Sequence, residues 1–131
     1  MTTKGSCLCG AVSYMIDGPL WDAHACHCTQ CRKQSGHFIA CATAQRETVT
    51  IQGEEAICWF EATPSIGRGF CRTCGSHLFW YQDGSDTISV NLGAVDGDPE
   101  VRMERHIFVA DKGDYYEITD GLPEFKEYPG A

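Results

Sequence analysis

Two groups of cysteines carry most of the chemistry open to this chain. The first joins Cys7-Leu8-Cys9 to Cys71-Arg72-Thr73-Cys74-Gly75. In an extended segment alternate side chains share a face, so Cys7 and Cys9 can reach one ion while Leu8 turns away. A Cys-x-x-Cys step followed by glycine makes a tight knuckle that supplies two more sulfurs, and four thiolates complete a tetrahedral zinc site. The two pairs are far apart in sequence, so an ion held by both ties distant parts of the chain together. That is a structural role. The competing readings are ordinary buried cysteines, or a redox pair at Cys71 and Cys74.

The second group is Cys26-His27-Cys28-Thr29-Gln30-Cys31. The same alternation puts Cys26 and Cys28 on one side and His27 on the other, and a turn after Cys28 returns Cys31 to the same ion. Three sulfurs converge without an obvious fourth ligand. A zinc centre with three protein ligands keeps a position for water or substrate, which is the catalytic arrangement. The alternative is a second closed site completed by Cys41, Cys58 or a distant histidine. Cys41 and Cys58 sit in apolar runs, Ile39-Ala40-Cys41-Ala42 and Ile57-Cys58-Trp59-Phe60, and read as buried and inert.

An open zinc can bind a thiol, lower its pKa and hold it as the thiolate, the form that attacks a carbonyl carbon. A nearby proton donor or water then quenches the alkoxide, and His24, His27 and His37 are the candidates. Three thiolates and one zinc dication sum to about −1, and a bound thiolate makes the centre about −2, so an acidic substrate needs cationic help. Arg32, Lys33 and Arg68 are nearest in sequence. Lys33 reads as a solvated charge, whereas Arg68 precedes the knuckle and can reach ligand or backbone.

The elements that must hold these residues are mostly strands. Segments rich in β-branched and aromatic residues recur at 10–16, 37–42, 48–51, 56–60, 76–81, 87–92 and 106–110, between turn signals such as Asp17-Gly18-Pro19, Thr63-Pro64, Asp83-Gly84 and Asp96-Gly97-Asp98-Pro99. The reading is antiparallel β. One helical turn is expected at 29–34, with Thr29 as its cap and Gly36 as its stop. The acidic stretch from Asp120-Gly121-Leu122-Pro123 onward reads as a surface-docked tail.

At 131 residues the chain has the length of a single domain spanning 1–131. Hydrophobic residues make up 43% and charged residues 21%, ordinary globular usage that excludes disordered and coiled-coil classes. The formal net charge is −8 and the basic residues are scattered, which opposes a nucleic-acid partner. No apolar run approaches the ~20 residues that span a bilayer, and the first residues lack a signal-peptide pattern. A cytoplasmic location is the expectation, and there nine cysteines point to metal rather than disulfides.

With these residues placed, the chain resembles the family of glutathione-dependent formaldehyde-activating enzymes, which includes centromere protein V. The matching landmarks are Gly5-x-Cys7-x-Cys9-Gly10-Ala11-Val12, Cys26-His27-Cys28-x-x-Cys31-Arg32-x-x-Ser35-Gly36, Arg68-x-Phe70-Cys71-x-x-Cys74-Gly75-Ser76, and His106-Ile107 with Asp120-Gly121-Leu122-Pro123. The resemblance implies a β-tent fold of short antiparallel sheets pinned by zinc. It implies a structural zinc on Cys7, Cys9, Cys71 and Cys74 and a labile catalytic zinc on Cys26, Cys28 and Cys31. The activity it implies is that of a carbon–sulfur lyase run in reverse, joining formaldehyde to glutathione to give S-hydroxymethylglutathione.

The sequence departs from the family at two places. After Ser35-Gly36 many members carry a small residue, a proline and an aromatic, where this chain has His37-Phe38-Ile39-Ala40-Cys41; near the end, Tyr115 or Tyr116 replaces a common tryptophan. The leading expectation is a zinc-dependent enzyme that adds glutathione or another small thiol to an aldehyde, with Arg68 and Arg32 as substrate contacts. Its rivals are a non-enzymatic zinc-pinned binding module and a thiol or metal sensor built on the three-cysteine cluster.

Overall fold

The computed structural model describes residues 2–129. Eleven strands and one short helix follow in chain order: β1 Thr3–Ser6, β2 Ser13–Ile16, β3 Trp21–Cys26, α1 Thr29–Ser35, β4 Ile39–Gln45, β5 Val49–Gln52, β6 Ile57–Thr63, β7 Ile66–Cys71, β8 His77–Gln82, β9 Thr87–Asn91, β10 Val95–Asp96 and β11 Arg105–Ile107. They form two sheets, β10-β1-β2-β5 and β11-β3-β4-β9-β8-β7-β6. The architecture is mostly β, as expected. No helix among the described residues is long and apolar enough to cross a membrane.

Strand alternation decides what each face of the large sheet does. On one face Ala42 and Ala44 of β4 and Ile88 and Val90 of β9 are buried in one cluster with Tyr14, Ile16 and Val49 from the small sheet and Val12 just before β2. That layer is the core. On the other face the same strands present Cys41, Thr43, Ser89 and Asn91, and register pairs Cys41 with Asn91 and Thr43 with Ser89. These polar positions floor a cavity instead of a core.

Helix α1 is short because both ends are fixed. Cys28 caps it, its Sγ accepting from the Cys31 N–H at 3.3 Å, and Gly36 stops it at φ 88°, where its N–H reaches the Arg32 carbonyl. The cap is therefore Cys28 and not Thr29, because a sulfur facing the first turn takes the place of the expected hydroxyl. Strands β1, β3, β7 and β10 fall outside the segments expected from the sequence. β7 holds Gly67 and Gly69, whose bare backbones lie under the Trp59 indole, and β3 is broken by Asp22 at φ 58°. Both features weaken a β signature.

Two further points differ from expectation. Cys7-Leu8-Cys9-Gly10 is a turn after β1, closed by the Gly10 N–H on the Cys7 carbonyl at 3.2 Å, so the strand expected at 10–16 starts at Ser13. The expected strand at 106–110 is β11, which ends at Ile107 and runs parallel to β3, in a large sheet otherwise antiparallel. The tail docks along β11 as anticipated, with the His106 N–H on the Pro123 carbonyl and the Phe125 N–H on the His106 carbonyl.

Candidate metal centres

The turn at Cys7 and Cys9 belongs to the small sheet, and the knuckle at Cys71 and Cys74 joins β7 to β8 of the large one. Their four sulfurs lie within 4.8 Å of one another. The Cys7–Cys9 and Cys9–Cys71 sulfur separations are 3.6 and 3.7 Å. Tetrahedral zinc with Zn–S bonds of about 2.3 Å sets its sulfurs about 3.8 Å apart, so the donor set fits that ion. Leu8 is 89% exposed and points away, here because the segment turns and not because it is extended as the spacing suggested.

Hydrogen bonds prepare some of these sulfurs for charge. The Val12 N–H donates to Cys7 Sγ at 3.3 Å, and the knuckle is closed by the Gly75 N–H on the Cys71 carbonyl. The Ser76 hydroxyl, then its backbone N–H, pulls the Cys74 thiol down to about 5. Cys9 goes the other way: the Ala11 backbone lowers its thiol, but desolvation and then the Cys7 sulfur outweigh that and carry it up to about 11, so only part of the set is prepared for charge.

The second cluster gathers Cys26 from the end of β3, Cys28 from the helix cap and Cys31 from the first turn of α1, again within 4.8 Å. Among the described residues no fourth cysteine, histidine or carboxylate joins it. Cys41 turns its sulfur to His24 Nε2 at 3.5 Å, and burial pushes its thiol up to about 12. Cys58 lies on the edge strand β6, paired with Phe70. Cys26, then Cys31, holds the Cys28 thiol well below its usual range while Cys28 pushes Cys26 up, so Cys28 is the sulfur of the cluster that most readily ionises.

This cluster opens into a cavity of about 470 Å³ on the polar face of the large sheet. Arg68 reaches it from β7, 7% exposed, donating to Cys31 Sγ at 3.5 Å, Gln34 Oε1 at 3.2 Å and Gln30 Oε1 at 3.0 Å. Its charge sits against the sulfurs. Gln30 and Gln34 are one helical turn apart on α1, a spacing that could have marked them as partners for a shared group. Arg32 lies elsewhere: its Nε donates to the Asp111 carbonyl at 3.1 Å and it does not line the cavity. Lys33 is exposed.

The three histidines separate cleanly. His24 lines the cavity beside Cys41, and its Nδ1 donates to the Asp22 carbonyl at 2.8 Å, which leaves Nε2 as the acceptor. His37 is exposed against Tyr115. His27 is buried on the far side of the ligand loop, in a chain that sequence spacing gave no means to find. Asp120 accepts from His106 Nε2 at 2.8 Å, His106 Nδ1 accepts from His27 Nε2 at 2.9 Å, and His27 Nδ1 accepts from the Tyr116 hydroxyl at 2.9 Å. A carboxylate only accepts, so it fixes the direction of every bond in the chain.

The profile of the family described as "Glutathione-dependent formaldehyde-activating enzyme" matches residues 2–111. The chain belongs to this family. A relative from Halomonas elongata, named "Putative glutathione-dependent formaldehyde-activating enzyme", is 30% identical over 142 aligned residues, covering 98% of this chain and 90% of that protein. A crystal structure of a Rhodobacter sphaeroides protein, solved as a structural-genomics target, superimposes with a TM-score of 0.61 at 27% identity. It covers 72% of this chain and 89% of its own. The family match spans both cysteine clusters, β11 and Arg68.

Proposed function

We propose that the protein is a zinc enzyme that adds a small thiol to formaldehyde or a related aldehyde, forming a carbon–sulfur bond, and catalyses the reverse cleavage. The observation that carries this reading is the three-sulfur cluster opening, beside Arg68, into a cavity large enough for a small ligand. Cys7, Cys9, Cys71 and Cys74 would hold a structural ion, and Cys26, Cys28 and Cys31 a second, labile one. The relative's printed name supports formaldehyde as the aldehyde. So many thiols call for a reducing compartment such as the cytoplasm.

Zinc bound at the open site would lower the pKa of an incoming thiol and keep it as thiolate. The chain's own groups do the rest. Arg68 offsets the charge on Cys31 while Gln30 and Gln34 hold its guanidinium in place. His24 lines the cavity with its Nε2 against Cys41 Sγ at 3.5 Å, and it would have to turn from that sulfur to take the thiol proton or to return one to the alkoxide oxygen of the adduct. Ile66, Phe79 and Ile107 wall the space and limit water. The balance is one thiol and one aldehyde giving one hemithioacetal, with the sulfur proton ending on oxygen.

Exchange spectroscopy with ¹³C-formaldehyde tests this directly. The metal-loaded protein should speed interconversion of aldehyde and thiol adduct, and Cys31→Ser should abolish the effect while remaining folded. No acceleration with any member of a thiol panel would leave the binding-module reading in its place.

A further inference from the structure

The charge layout of the cavity bears on which thiol it takes, an inference that rests on the three-cysteine cluster being a thiol site. Arg68 is the only lysine or arginine lining the cavity among the described residues. It is turned inward, with its terminal nitrogens on Cys31, Gln34 and Gln30. It therefore compensates the sulfur cluster rather than standing free to receive a substrate carboxylate. Three thiolates and a zinc dication carry about −1, and a bound thiolate brings the centre to about −2, which a single guanidinium does not cancel.

The remaining wall adds no lysine or arginine, and its His24 turns Nδ1 to Asp22, with the backbone carbonyl at 2.8 Å and Oδ1 at 3.8 Å. Asp22 and Asp111 both line it. Asp22 pairs with Arg105, which lies outside the lining, and Asp111 is exposed while Arg32 binds only its backbone carbonyl. The floor offers the neutral groups of Thr43, Ser89 and Asn91, and burial holds the His77 ring below its ordinary range and so uncharged. The whole chain carries a formal −8, so the longer-range field has the same sign.

Glutathione brings two carboxylates and one ammonium, a net negative body before its thiol ionises. We infer that the cavity selects thiols whose body carries no carboxylate, and that an amine-bearing thiol is preferred over glutathione, with Asp22 as the specificity-determining carboxylate. An ammonium group in a partly desolvated cavity gains from the centre, and Asp22 keeps Arg105 from standing as a free cation beside it, whereas the glutathione carboxylates meet like charge without a free guanidinium.

The test replaces the labile zinc by cobalt in the full chain and follows the sulfur-to-cobalt charge-transfer band during titration with cysteamine, 2-mercaptoethanol and glutathione, compared at equal thiolate concentration. Cysteamine should bind tighter than glutathione by at least about tenfold at low salt, with 2-mercaptoethanol between them, and the ratio should shrink as salt rises. Asp22→Asn keeps the left-handed backbone that asparagine tolerates and leaves Arg105 with Glu104, at 3.8 Å, as its remaining carboxylate, so it should move the ratio toward glutathione. The salt series on the wild type carries the test if that variant does not fold. Glutathione binding as tightly as cysteamine would overturn the inference while leaving the thiol site standing. A spectrum that no thiol changes would overturn the site and the inference together.

Discussion

His27 Nε2 and His106 Nδ1 lie 2.9 Å apart in the interior, joining the loop that carries Cys26 and Cys28 to the strand on which the tail docks. The Asp120 carboxylate at one end and the Tyr116 hydroxyl at the other complete the chain. A buried donor left without its acceptor costs about 1–3 kcal/mol. His106→Ala should lose about that much stability in urea unfolding, and should hold the labile metal more weakly because His27 no longer braces the ligand loop. An unchanged midpoint and unchanged metal retention would mean that the bond positions nothing.

The same surroundings set the state of the ring. Burial first, then the positive charge His106 would carry, holds His27 down to about 4. The folded protein therefore binds fewer protons here than the unfolded chain between about pH 6.5 and about 4, and the stability from the neutral ring is lost as pH falls through that window. Histidine ring NMR should show His27 still neutral at about pH 5, where an unperturbed imidazole is mostly charged. A midpoint near 6.5 would contradict the buried relay.

Cys9→Ser removes one of four sulfurs that tie the two sheets. Metal binding at such a site is folding free energy, so the variant should lose the structural ion and its cooperative melt. A cooperatively melting Cys9→Ser protein with full zinc content would remove the structural assignment.

Cys58→Ala and Cys41→Ala should both keep two metal equivalents. Cys58 sits on an edge strand and Cys41 faces His24, and neither joins a sulfur cluster. Packing loss of about 1 kcal/mol is the expected cost for buried Cys41, and less for Cys58. Loss of one zinc from either variant would close the site proposed to be open.

Gly69→Ala tests the packing under Trp59. A Cβ at residue 69 would fall 2.9 Å from the indole, which also stacks on Phe79 with centroids 6.3 Å apart. Displacing the ring should cost about 1–3 kcal/mol and shift tryptophan emission to the red. An unshifted spectrum with unchanged stability would show that the contact is slack.

The ligand clusters were legible because metal spacing is local: Cys-x-Cys, Cys-x-x-Cys and a following glycine constrain one or two turns of backbone. The strands that arrange them were only partly so. β7 reads poorly because Gly67 and Gly69 exist to seat Trp59, a contact across strands that no single-segment pattern reveals. His24 opposite Cys41 depends on register, and His27 against His106 spans 79 residues. Arg68 was singled out because it precedes the knuckle, yet it reaches the other cluster at Cys31 Sγ, whereas Arg32, adjacent to Cys31 in sequence, donates to the Asp111 carbonyl instead.

The proposed thiol chemistry depends on a second cluster that supplies three sulfurs and leaves room for a fourth from outside. Zinc K-edge X-ray absorption on the two-metal protein measures that number. Seven cysteines over two ions predict an average of 3.5 sulfurs per zinc, rising to 4 when a binding thiol is added and unchanged by the same thiol in Cys31→Ser. An average of 4 before any thiol is present, with no change on addition, would contradict the open site and the chemistry proposed for it.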